Sequence, residues 1–204
     1  MEKRIRKIEL ADAGAVRDIY APFVADSATS FEVEPPDVAT MEDRIRYLQD
    51  QYPWLVFEAN RRVLGYAYAS SHRPRRAYQW SVEVSVYLHD SARQCGVGRA
   101  LYLSLFEVLR RQGYVNAYAG ITLPNPASVG LHESLGFTAI GVFSRIGFKF
   151  GQWHDVSWLQ FRLLDTLEPV PNPLPAKDIF LDDGIAILFQ QQSKLTRYGS
   201  TSMP

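Results

Sequence analysis

With one cysteine in 204 residues, the chain can close no disulfide within itself and cannot assemble a zinc site from thiolates. Excess charge is also lacking, since 22 lysines and arginines balance 22 aspartates and glutamates. That balance argues against a dedicated binder of nucleic acid or another polyanion. No apolar run approaches the ~20 residues that a membrane-spanning helix requires. Met1-Glu2-Lys3-Arg4 leads into a short strand pattern rather than the apolar core of a signal segment. Nor is there an internal repeat. These absences predict a soluble, cytoplasmic, one-domain protein with a substantial core and neither nucleic acid nor membrane as partner.

What is present is patterning. Residues 4–10 alternate charged and aliphatic side chains, the period-two mark of a half-buried strand. Asp12 is placed to cap a helix over 12–26, with Val16, Ile19, Tyr20 and Phe23 on one stripe. Thr40 with Asp43 reads as a capping pair for a second helix ending near Gln51. Segments 55–59 and 63–70 flank Asn60-Arg61-Arg62 as a hairpin. A basic loop at 72–76 precedes a long strand over 78–88, and a third helix spans 98–112 and stops at Gly113. Beyond it come a strand at 117–123, a short helix at 127–135 closed by Gly136, and strands at 138–148 and 155–164. About seven strands and four helices in this alternation predict an α/β protein, a mixed sheet with helices on its faces.

From Glu168 onward, Pro169, Pro171, Pro173 and Pro175 predict an extended stretch that cannot continue a helix. Residues 179–189 are apolar enough to dock, whereas 190–204 read as a polar, mobile tail. The expected division is a catalytic domain over 1–179 and a partly disordered C-terminal extension over 180–204.

The most informative stretch lies between Glu83 and Gly136. An apolar alternating strand, Glu83-Val84-Ser85-Val86-Tyr87-Leu88, feeds the loop Arg93-Gln94-Cys95-Gly96-Val97-Gly98-Arg99, which opens into an amphipathic helix. Glycines at such a junction let backbone N–H groups turn inward, and the positive end of the helix favours a phosphate there. A dinucleotide fold would place a third glycine where Leu101 stands, and a nucleotide-hydrolysing loop would have Gly-Lys-Ser/Thr where Gly98-Arg99-Ala100 stands.

What fits is Arg/Gln-x-x-Gly-x-Gly/Ala, which resembles the acetyl-CoA loop of the GNAT superfamily of N-acetyltransferases. Further blocks are similar to the phosphinothricin acetyltransferase branch of that superfamily. They are Ser30-Phe31-Glu32, Trp80-Ser81-Val82-Glu83, Leu123-Pro124-Asn125, Leu131-His132-Glu133 and Gly147-x-Lys149-Phe150-Gly151-x-Trp153-His154-Asp155-Val156. The similarity covers residues 4 to 179. It implies a GNAT-type fold and direct transfer from acetyl-CoA, with no metal, to the α-amino group of a small amino-acid-like acceptor. Members of the branch act on phosphinothricin, methionine sulfoximine or sulfone, and some on ordinary amino acids. Where they often show Glu-Ser-Thr or Glu-His-Ser, this chain has Glu83-Val84-Ser85, a departure that bears on acceptor identity.

An amine attacks a thioester only as the neutral base, and a free α-ammonium holds its proton near neutral pH. Glu83, within an apolar strand, is the candidate to remove it, and burial would make it the better base; the alternative is a carboxylate on a solvent-facing strand. A strand splayed from its neighbour can offer a backbone N–H to the oxyanion. The resemblance implies that Val86, Tyr87 and Leu88 pair with the pantetheine chain through their backbone, that Arg93, Gln94, Cys95, Gly96, Val97, Gly98 and Arg99 cradle the pyrophosphate, and that Asn125 bonds the pantetheine arm. Asn125 could equally be a turn residue beside Pro124. His132 occupies a slot where many superfamily members carry tyrosine, and either proton transfer to the departing thiolate or simple cofactor contact suits it. The resemblance also favours Arg73 and Arg75 as a carboxylate clamp, with Phe31 and Ser85 at the acceptor; a solvated basic loop is the alternative for the arginines. Tyr78, Tyr87 and Trp153 could wall the pocket or belong to the core.

Two other functions have their own sequence requirements. Transfer to a protein or peptide N-terminus or a lysine would call for an open acidic groove. A non-catalytic acyl-CoA sensor would call for a degenerate Glu83 or a broken glycine loop, and neither is seen. The apolar-edged sheet leaves a homodimer open.

Overall fold

The charged-aliphatic alternation near the N-terminus folds as a strand, β1 (Lys3–Lys7), paired antiparallel with β2 (Trp54–Ala59). The computed structural model describes residues 2–165 and 171–199. β2 turns through Asn60 and Arg61, both with positive φ, into β3 (Arg62–Ser71), as the hairpin pattern predicts. β4 (Ser81–Leu88), β5 (Asn116–Thr122), β6 (Thr138–Lys149) and β7 (Gln152–Arg162) complete one sheet in the order β1-β2-β3-β4-β5-β7-β6. Among the described residues only the β4–β5 pair is parallel. A parallel pair needs a crossover, and α3 (Val97–Gln112) supplies it.

Helices α1 (Ala13–Ala25) and α2 (Val38–Leu48) cover one face of the sheet, burying Val16, Ile19, Val24, Met41 and Ile45 against Trp54, Val56 and Tyr66. α3 covers the other face with Leu101, Leu105, Val108 and Leu109. It is bounded by two left-handed glycines, Gly96 (φ 78°) and Gly113 (φ 92°), a conformation in which a Cβ is unfavourable. α4 (Pro126–Ser134) follows β5.

Both expected N-caps are corrected. The Asp12 carboxylate does not cap α1; it takes two bonds from Arg6 (2.7 and 2.8 Å) and one from the Glu9 amide (2.8 Å). Burial pushes this carboxyl up, but the bonds from Arg6 and Glu9 outweigh it and hold it below the usual range. At α2 the cap is Asp37, which accepts from the Thr40 amide at 2.7 Å, one turn earlier than the Thr40–Asp43 pair would have it.

The end of the chain differs most from expectation. α5 (Ala176–Ile179) and α6 (Asp183–Lys194) follow the prolines, of which Pro169 lies outside the described residues. α6 buries Ile185 and Phe189 against α3 and β1, and the chain stays docked after it, with Thr196 3% exposed. The tail expected to be mobile from Gln190 is therefore held as far as Tyr198. Its polar groups have partners: the Ile5 amide donates to Ser193 Oγ (2.7 Å), and Lys3 donates to the Thr196 carbonyl (2.8 Å). Residues 200–204 lie outside the described residues.

Candidate active site

β4 and β5 pair only over Ser81↔Asn116, Val82↔Ala117 and Glu83↔Tyr118. Beyond Glu83, β4 remains bonded to β3 as far as Leu88, and β5 remains bonded to β7 through Thr122. The strands therefore separate as edges of two half-sheets. A small cleft, open on one side, lies between residues 84–87 and 119–122, with Tyr102, Asn125 and His132 in its wall. The facing edge of β4 past Glu83 carries backbone N–H and C=O groups that no strand on that side satisfies, which invites an extended ligand to add itself as a strand.

The loop after β4 runs toward α3. Gln94 (φ 57°) and Gly96 (φ 78°) are both left-handed, and none of the backbone N–H groups from Gln94 to Arg99 donates to another described residue. A Cβ on Gly98 would lie 3.2 Å from Leu131 and 3.5 Å from Leu88, so the helix packs closely there. These unpaired donors at a helix N-terminus suit a diphosphate, and the splayed strands suit an extended pantetheine arm. Arg93 is paired with Asp90 (2.9 Å) and lies over the Phe23 ring; Arg99 donates to the Ser134 carbonyl (3.0 Å). Cys95 is a free, half-buried thiol beside the core, and Val97 is buried.

Glu83 stands at the point where the strands part. The burial expected of it is corrected: its side chain remains 34% exposed, and it does not itself line the cleft. It faces His72, whose Nδ1 is 3.0 Å from Glu83 Oε1 and whose ring stacks on Tyr118 at 4.6 Å. His72 was not singled out from sequence. It sits just past the β3 end in the basic loop, and only the β3–β4 register, with Ser70 opposite Glu83, brings it there.

His132 is buried at 3% exposure, and both of its nitrogens are engaged. Nδ1 is 2.7 Å from the Ser128 carbonyl, which can only accept, so Nδ1 carries the proton. Nε2 then accepts from the Tyr102 hydroxyl at 3.0 Å. Burial pushes the imidazole pKa down, the Ser128 bond opposing it, and burial pushes the Tyr102 phenol well up. The neutral His132–Tyr102 pair is thus a fixed unit in the cleft wall, with Tyr102 a second residue that sequence reasoning passed over. A tyrosine on the buried face of α3 was the available signal, since its hydroxyl must find a partner.

The remaining candidates divide. Ser85, Val86 and Tyr87 line the cleft; Asn125 lines it and also caps α4 through the Ser128 amide (3.1 Å), so the turn reading holds as well. Tyr87 packs edge-on against Tyr20 and Phe23. Leu88 lies at the end of β4 against Gly65. Phe31 does not line the cleft: its ring fills the space where Gly147 would carry a Cβ, while Thr29 of the same loop reaches the wall. Arg73 and Arg75 are exposed, with no carboxylate partner among the described residues, and neither enters the cleft. Tyr78 and Trp153 are exposed and lie outside the cleft wall. Lys149 buckles the Phe31 loop to β6, donating to the carbonyls of Val24 (2.6 Å), Ser27 (3.0 Å) and Ser30 (2.7 Å). Among the described residues no group of three or more metal-ligating side chains converges, and no helix is long and apolar enough to cross a membrane.

A splayed parallel pair followed by a phosphate-suited helix start defines the class. The acetyltransferase (GNAT) domain matches residues 5–158, and the chain belongs to this family. Among its relatives, phosphinothricin N-acetyltransferase from Streptomyces viridochromogenes is 42% identical over 156 residues, spanning 76% of this chain and 85% of that protein. The L-methionine sulfoximine/L-methionine sulfone acetyltransferase of Salmonella typhimurium is 34% identical over 81% of this chain and 97% of its own length. A GNAT superfamily phosphinothricin acetyltransferase from Sinorhizobium meliloti, solved in complex with AcCoA, superposes with a TM-score of 0.77 at 34% identity, covering 83% of this chain and 96% of that one.

Proposed function

We propose that the protein transfers an acetyl group from acetyl-CoA to the α-amino group of a small amino-acid-like acceptor, of the kind represented by phosphinothricin and methionine sulfoximine or sulfone. The observation that carries this reading is the parting of β4 and β5 immediately after Glu83, with a loop of unpaired N–H groups beyond the other end of β4. Acetyl-CoA supplies an acyl carbon activated as a thioester. Glu83, hydrogen-bonded to His72, takes one proton from the acceptor ammonium and so frees the nitrogen lone pair. Backbone N–H groups on the open edge of β4 stabilise charge developing on the acyl oxygen. As the C–N bond forms and the C–S bond breaks, the sulfur ends with the second nitrogen proton, so the balance needs no outside acid. Tyr102 is the relay assigned to that proton. Its hydroxyl turns from His132 Nε2 to give its own proton to the departing sulfur while its oxygen takes the second nitrogen proton, and the bond to His132 holds it in place beforehand.

Arg73 and Arg75 remain the proposed carboxylate clamp, with Ser85 in the cleft wall and Phe31, whose loop sends Thr29 to that wall, as the other proposed acceptor residues. We place the catalytic domain at 1–179 with 180–204 as its extension, and assign a cytoplasmic location. The exposed apolar side chains of edge strand β6, including Ile140, Val142 and Phe143, support a homodimer.

Release of CoA, measured across free amino acids, their sulfone and sulfoximine analogues and phosphinothricin, tests the reading. Free amino acids should exceed their own amides and decarboxylated amines as acceptors. Equal rates with alkylamines or peptide N-termini would move the assignment to protein or peptide acetylation, and acetyl-CoA binding without turnover on any amine would move it to a sensor.

A further inference from the structure

Residues 193–198 lie beyond the matched domain, yet they end on the loop that precedes α3. The Arg197 amide donates to the Cys95 carbonyl at 2.8 Å, and the Arg197 guanidinium donates to the Gln94 carbonyl at 3.2 Å. This segment is itself anchored: Lys3 holds the Thr196 carbonyl, Thr196 Oγ1 donates to the Ser193 carbonyl (2.8 Å), Ser193 Oγ takes the Ile5 amide, and the Tyr198 ring meets Phe57 edge-on at 5.9 Å.

In a planar trans peptide the carbonyl and the following N–H point in opposite directions. Fixing the carbonyls of Gln94 and Cys95 therefore fixes the N–H groups of Cys95 and Gly96, and turns them away from the segment that holds the carbonyls. Gln94 pays the usual left-handed strain of a residue with a Cβ, and such strain persists only where surrounding contacts over-determine the backbone. The bond from Arg197 to its carbonyl is one such contact.

We infer that residues 193–198 are a positioning element of the donor site, bracing the Gln94 and Cys95 carbonyls so that the Cys95 and Gly96 N–H groups are aimed at the diphosphate of acetyl-CoA. This rests on the acetyl-CoA reading above. It also makes the two events reciprocal: if the docked segment favours the donor, the donor must favour the docked segment by the same factor.

The test uses the full chain with two substitutions. Arg197→Pro removes both the amide and the guanidinium donor, and Arg197→Ala removes the guanidinium alone. The Kd for acetyl-CoA should rise about tenfold in the first and about threefold in the second, the scale of one to two hydrogen bonds. Turnover with S-acetylpantetheine, which carries the thioester but no diphosphate, should stay at the wild-type level in both. Exchange of the Arg197 amide in wild type should slow on adding acetyl-CoA. An unchanged acetyl-CoA Kd in either folded variant overturns the inference, as does an equal loss with both donors, which would mark general damage. Should Arg197→Pro fail to fold, Arg197→Ala decides. Wild-type protein that binds no acetyl-CoA would overturn the donor reading itself, a result separate from either variant's.

Discussion

Where the loop at 93–99 offers backbone N–H groups and little side-chain chemistry, the proposed reacting groups are side chains carried by separate elements. Glu83 comes from β4, His72 from the loop after β3, Tyr102 from α3 and His132 from α4. A backbone site depends on φ, ψ and a few glycines, so substitutions around it are tolerated as long as the turn survives. A side-chain site depends on chemical identity and on the register of every strand that feeds it. Damage at the two sites should accordingly appear in different kinetic constants, affinity for the donor at one and the chemical step at the other.

The largest effect should come from the side-chain site. Glu83→Gln keeps the shape of the residue and removes the base, so kcat at pH 7 should fall on the order of 100-fold while the acetyl-CoA KM holds. The loss should shrink at high pH, where more acceptor is already neutral; a variant turning over at near the wild-type rate at pH 7 would hand the base to His72 or a water. A smaller effect belongs to the backbone site. Gly96 has φ 78° and open space around its Cβ position, with Thr196 Cα 4.0 Å away. Gly96→Ala therefore meets a conformational penalty and no clash, and the acetyl-CoA KM should rise about tenfold with the acceptor KM unmoved. Steady-state kinetics varying each substrate would check both; a kcat loss in Gly96→Ala would erase the distinction between the sites.

The smallest effect is one of stability. The His132 pKa is lowered from its ordinary 6.5, chiefly by burial. In the unfolded chain the imidazole takes a proton as pH falls through 6.5, whereas the folded protein resists until a lower pH. Unfolded molecules then bind more protons, and stability falls with falling pH across that window, by at most about 1.4 kcal/mol per unit, with no further loss below the folded value. His132→Gln should remove this component from a plot of denaturant midpoint against pH between 7 and 5. An unchanged slope would mean that His132 is not held neutral.

The same contrast explains what could be read from the sequence. The strand-loop-helix order, Gly96 and Gly113 were legible because backbone geometry restricts residue type locally, whereas Gly98 is limited by the close approach of Leu131 and Leu88. The partnership of His72 with Glu83 was not, since it arises from the β3–β4 register rather than from any spacing along the chain. Burial of Glu83 was expected from its apolar neighbours, yet a strand alternates its faces, and the surroundings of one position depend on what packs over it. The cap of α2 slipped by one turn because Asp37, Thr40 and Asp43 are all competent caps, and the choice among them lies in the entry angle of the chain. The polar residues after Gln190 looked like a tail because their partners, Lys3, Ile5 and the loop at 94–95, are distant in sequence.

Lys149 has a consequence for the order in which the molecule is completed. Its ammonium gathers three carbonyls that precede it by 119 to 125 residues. Closing so long a loop carries a large entropic cost before any contact rewards it. During synthesis the loop at 24–31 must wait, unclasped, until β6 has left the ribosome, long after β4 and the start of α3 are available to one another. The donor loop waits longer still, because Arg197, which holds the Gln94 and Cys95 carbonyls, is made after Lys149. A nascent chain would on this account close the clasp on the loop at 24–31 before it sets the brace behind the loop at 94–95.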